Sequence, residues 1–92
     1  MYSVENQGLR DEEAIPLSRI EAGKTVRLIS IHAGREMKSR LADMGLVPGV
    51  EFRVIRNTGN GPFIIAVKES RLALGHGMIE RMFVKLGIHF SD

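Results

Sequence analysis

The sequence predicts a small, mainly β domain: a barrel of about five short strands carrying one or two short helices. Three observations predict it. Short runs of alternating apolar residues recur through the second half of the chain. Dense Gly, Pro and Asn turn chemistry separates them, and a single stretch shows a helical apolar period. The chain has 92 residues and is 43% hydrophobic. That suggests one globular domain near the lower size limit for an independent core.

Residues 1–15 (MYSVENQGLRDEEAI) show no sustained period and read as a frayed acidic leader, with a turn of helix at Asp11–Ala14. In PLSRIEAG, Ser18 stands three residues before Glu21, the spacing of a capping box. Leu17 and Ile20 are i,i+3 neighbours that can plug one end of a core, and Gly23 stops the turn. KTVRLISI, residues 24–31, is rich in β-branched and apolar residues and predicts a strand. After the break at His32-Ala33-Gly34, REMKSRLADM sets Met37, Leu41 and Met44 on one helical face. Glu36 falls in the first turn, where the helix dipole favours a negative charge.

The corner GLVPG is specified residue by residue. Gly45 suits the left-handed position that ends a helix, with Leu46 packing back on Leu41. Pro48-Gly49 suits the two central positions of a type II turn. Gly45, Pro48 and Gly49 therefore read as a structural hinge. VEFRVI then alternates, with Val50, Phe52 and Val54 on one face. NTGNG is a turn. PFIIAVK is a strand with Phe63, Ile65 and Val67 inward. Glu69-Ser70 is a turn, RLAL a further strand, and residues 75–81 a loop with a helical turn. MFVKL closes the set, with Met82, Val84 and Leu86 alternating, and residues 87–92 form a tail.

Composition narrows the functions. With no cysteine there is no disulfide scaffold, thiolate metal site or thiol nucleophile. The lack of cysteine also agrees with a cytoplasmic location; no apolar run approaches the roughly 18 residues of a membrane span, and no signal-peptide pattern is visible at the N-terminus. Residues 1–15 carry a net −3 and residues 16–92 a net +5. The positive charge is spread out, which fits a solvated surface leaning basic.

Enzymatic chemistry finds little footing. No serine lies in a nucleophile elbow, and so short a chain barely fills its own core. The G-x-G pairs Gly59/Gly61 and Gly75/Gly77 lack the Gly-Lys-Ser/Thr ending of a phosphate loop. His32/Glu36 and His76/Glu80 are i,i+4 pairs of metal-binding types, but a tight site takes three or four ligands. The methionines read as core filling. Nucleic-acid binding would want exposed aromatics between basic residues, and no such alternation is visible.

The blocks PLSRIEAGKTVRLISI, RLADMGLVPGVEFRVI and GPFIIAVKESRLALGHGMIERMFV, spanning residues 16–86, resemble the ferrous iron transport protein A (FeoA) family. Leu41-x-x-Met44-Gly45-Leu46-x-Pro48-Gly49 is the most specific part. The resemblance implies an SH3-like barrel. It implies a non-enzymatic cytoplasmic accessory of bacterial ferrous iron uptake, acting on the FeoB-type membrane GTPase transporter. It extends to the SH3-like domain of diphtheria-toxin-repressor-type metal regulators. In those regulators the loop before the matching helix contributes to a shared metal site, which makes His32 a candidate ligand for a weakly bound Fe2+ or Zn2+. At Ile79 the family commonly has a small residue such as Ala, so a bulky side chain there is expected to alter the packing. For docking on the transporter, the expected surface is an exposed ridge at Leu46, Val47 and Pro48, with Arg40 and Arg53 close by. Two other readings stay open: a free-standing transition-metal sensor, and a small nucleic-acid-binding barrel. A homodimer is also compatible, and the sequence does not decide it.

Overall fold

The computed structural model describes residues 14–87. Within them the chain runs β1 (Ile15–Pro16), a 3-10 turn (Leu17–Arg19), β2 (Thr25–Ile31), α1 (Arg35–Asp43), β3 (Glu51–Arg56), β4 (Phe63–Val67), β5 (Ser70–Leu74), α2 (His76–Ile79) and β6 (Met82–Leu86). The strands form one sheet in the order β1-β6-β2-β3-β4-β5, every neighbouring pair antiparallel. The sheet wraps a single apolar core to which the 3-10 turn and both helices contribute.

Alternation builds that core as expected. Phe52 and Val54 of β3, Phe63, Ile65 and Val67 of β4, and Met82 and Val84 of β6 are buried, while Arg53, Arg71 and Arg81 are exposed. In β2 the alternation slips. Val26 and Leu28 point inward, the pairing with β6 shifts between Leu28 and Ser30, and Ile31 is the next buried residue. Such a bulge bends the strand and re-aims the residues just beyond it, here Ser30, Ile31 and His32.

The corner is built as its residues demand. The Leu46 N–H donates to the Leu41 carbonyl (2.8 Å) and the Gly45 N–H to the Ala42 carbonyl (2.9 Å). These are the two bonds of a Schellman ending, with Gly45 left-handed at φ +89°. The Val50 N–H then donates to the Val47 carbonyl (3.1 Å) around Pro48-Gly49, with Gly49 at φ +100°. The Gly49 N–H donates to Leu28 (2.7 Å) and the Leu28 N–H to Val50 (2.9 Å), so the chain joins β2 as soon as it leaves the turn.

Several expectations need correction. Ile15, read as leader, pairs with Val84 in a sixth strand. The capping box of Ser18 and Glu21 does not form: the segment is a 3-10 turn behind Pro16 with no side-chain cap. Ile20 leaves the turn in an extended conformation there, which denies Ser18 a helix to cap. Met44 is 37% exposed and Leu86 46% exposed, so neither belongs to the core. α1 ends at Asp43, and the reversal at Gly45 delivers Leu46 to the core in place of Met44. The β4–β5 turn is Lys68-Glu69, one residue earlier than expected, and Lys68 takes a positive φ of 55°. Ile79 is buried in the core from the single turn of α2, so its bulk is accommodated. The helical turn expected at Asp11–Ala14 lies, except for Ala14, outside the described residues, as does the tail beyond Gly87.

Candidate functional site

A cleft of about 450 Å3 opens where the end of β2, one side of α1 and the corner meet. Ile29, Ser30, Ile31 and His32 form one wall. Lys38 and Ala42, four residues apart and therefore on one side of α1, form the second. Leu46, Val47 and Pro48 form the third. The β2 bulge and the Schellman corner are thus the two local devices that shape it. The lining is predominantly apolar, with Lys38 and His32 as its ionisable groups and no carboxylate.

Of the residues expected to dock, the structure brings Leu46, Val47 and Pro48 to the cleft, facing His32, the candidate metal ligand. It does so with one change of role. Leu46 is fully buried and forms the floor, so the exposed ridge reduces to Val47, 44% exposed, and Pro48. The reason is the Schellman ending, which turns the residue after Gly45 back towards the helix. Neither Arg40 nor Arg53 lines the cleft. Two residues along a helix is about 200° of rotation, which carries Arg40 away from the Lys38 side. Arg53 lies on the outward face of β3, opposite Thr25 and Ala66. The cationic group at the cleft is Lys38. Its i,i+4 relation to Ala42, a small residue beside the core position Leu41, is the sequence signal that could have found this wall.

His32 is exposed and held from three directions. Its backbone N–H donates to Arg81 (2.8 Å), its Nε2 lies 3.2 Å from Ser30 Oγ, and its ring stands 4.5 Å from that of Phe83 at a 32° tilt. As a metal site the position does not fit the family-implied ion by itself. One imidazole and one hydroxyl are its donors here, and among the described residues no group of three His, Asp or Glu side chains gathers anywhere. The G-x-G pairs serve the fold: Gly59 is left-handed at φ +90°, the Gly61 N–H is held by Thr58 Oγ1 (3.1 Å), and Gly75 precedes α2. Among the described residues no polar or charged residue is buried.

The FeoA domain pattern matches residues 15–86, almost the whole of the described chain. The chain belongs to the FeoA domain family. A Methanocaldococcus jannaschii protein assigned as an Fe(2+) transport protein A is 39% identical over 70 residues, covering 76% of this chain and 84% of its own. The crystal structure of an iron uptake regulatory protein, FeoA, superposes with a TM-score of 0.74 at 33% identity, covering 79% of this chain and 97% of that one. The solution structure of FeoA from Chlorobium tepidum gives a TM-score of 0.72 at 27% identity, covering 79% and 70%. A manganese-dependent transcriptional repressor shares the fold alone, at 21% identity and a TM-score of 0.72 over 79% of this chain and 41% of its own. The fold of this FeoA domain is accordingly SH3-like, and mainly β as the strand pattern predicts.

Proposed function

We propose that this FeoA-domain protein is a non-catalytic accessory of ferrous iron uptake. It docks through the corner cleft on the cytoplasmic part of a FeoB-type GTPase transporter and modulates its nucleotide cycle or gate. Family membership supports the transport role, since the relatives it matches are Fe(2+) transport and iron uptake proteins. The observation that carries the docking reading is the cleft itself. An exposed Val47 and Pro48 stand beside an apolar floor, on a corner fixed by two consecutive backbone-specified turns. A preformed apolar recess with a rigid rim takes an apolar anchor from a partner at little ordering cost. No described helix is long and apolar enough to cross a membrane, so in this reading contact with the bilayer-embedded transporter is made from outside the bilayer. A metal-sensor role would require His32 to gain two or three ligands from beyond the described residues.

The test is retention of the transporter from native membranes by tagged protein. Wild type is expected to retain the GTPase, and Val47→Asp to lose it while its unfolding free energy stays within the small range of a surface substitution, about 0.5 kcal/mol. Failure of wild type to retain the GTPase at every salt concentration, or undiminished retention by Val47→Asp, overturns the docking reading.

A further inference from the structure

We infer that the outer face of β3, β4 and β5 is an electrostatic docking surface for anionic phospholipid headgroups. Register places its charges. Arg53 lies opposite Ala66, and Ala66 opposite Arg71, so one row across three strands reads Arg-Ala-Arg. At the usual strand spacing the two arginine backbones stand about 10 Å apart across the alanine. The row beyond the β3 bulge reads Arg56, Ile64, Ala73. Because Phe52, Val54, Phe63, Ile65 and Val67 take the inward positions, all three arginines are exposed. Lys68 adds a fourth cation at the β4–β5 turn. Two carboxylates answer them from these elements. Glu51 is bridged to Arg27 at 3.0 Å, and Glu69 lies in the turn beside Lys68. With Glu51 bridged to Arg27 and Glu69 set beside Lys68, the three arginines are left as the net positive charge of this face.

The chemistry of the face selects the partner. Guanidinium groups bind phosphate oxygens as a fork, and three of them on one sheet face define an anion-seeking plane. The residues between them are two alanines and an isoleucine, so there is no aromatic platform for a base. These arginines stand apart from the shaped apolar cleft, the recess that a protein partner's anchor would fill. A lipid surface needs neither platform nor pocket, since its mobile anions collect under fixed cations. The inference is independent of the corner cleft and of any transporter.

Sedimentation of the full chain with protein-free vesicles tests it. Binding to phosphatidylglycerol/phosphatidylcholine vesicles is expected at low salt, with none to pure phosphatidylcholine, and with a steep fall as salt rises. Each basic side chain near such a surface is worth roughly 1 kcal/mol, about five-fold in partitioning, so Arg53→Ala with Arg71→Ala lowers it about 30-fold. Arg35→Ala with Arg81→Ala removes the same charge from outside this face and leaves partitioning within a few-fold of wild type. Equal loss in both double variants shows a net-charge effect and overturns the proposal, as does absence of vesicle binding at low salt. So does saturation by inorganic phosphate alone, which marks a discrete anion site, or tighter arginine-dependent binding to duplex DNA.

Discussion

The corner from Leu41 to Val50 and the opening segment from Ile15 to Gly23 do the same mechanical work. Each redirects the chain within about ten residues and delivers a fully buried leucine, Leu46 and Leu17, to the core. They are held by opposite means. The corner is closed by hydrogen bonds between residues three to five apart, plus the ladder to Leu28 next to it. The opening segment has a local bond from the Ile20 N–H to the Leu17 carbonyl (3.0 Å) but is tied to the rest of the fold by residues far along the chain. Ile15 pairs with Val84, and the Asn57 side-chain amide donates to the carbonyls of Ser18 (3.1 Å) and Ile20 (2.9 Å). The contrast teaches that a buried apolar side chain says little about what positions it. Local backbone chemistry suffices at one end, while at the other a distant asparagine takes the place of a cap.

Four substitutions sharpen or break that contrast. Leu46→Ala is expected to have the largest effect, about 2–5 kcal/mol in denaturant unfolding, because it leaves a cavity under the cleft that a rigid corner cannot collapse into. A loss below 1 kcal/mol would show the corner to be more pliable than its turns imply. Asn57→Ala comes next, at about 1–3 kcal/mol, since it strips two part-buried carbonyls of their donor. Amide exchange in that variant is expected to rise around residues 15–20 and not in the corner; a uniform rise would mean that the opening segment is not separately held. Gly45→Ala should cost about 1 kcal/mol or more through left-handed strain, space being ample, with Val67 3.9 Å from the added carbon. An unchanged melting temperature would sink the Schellman assignment. Ser18→Ala should be the smallest, under about 0.5 kcal/mol, since the hydroxyl caps nothing. A loss near 1 kcal/mol would restore the capping box.

Legibility followed the range of the cause. Phe63, Ile65 and Val67 were readable because strand alternation is a nearest-neighbour rule. Gly45 and Pro48-Gly49 were readable because each turn demands its residue type. The candidate site was readable only in part. Val47 and Pro48 stand at the cleft, but Leu46 went to the floor, and Lys38 replaced Arg40 and Arg53 as its cation. Helix rotation could have given Lys38, whereas the β2 wall depends on a bulge that appears only in the pairing with β6.

By itself the sequence determined the element types, the inward faces of β3 and β4, the hinge and the family. These follow from local sterics and from periods of two and 3.6 residues, which act over one or two turns of chain. Tertiary structure alone decided the sixth strand at Ile15, the role of Asn57, the bulge that aims His32, and the register that sets Arg53 and Arg71 astride Ala66. Each of these depends on which strand lies beside which. That choice belongs to the packing of the whole core, and no window of the sequence contains it.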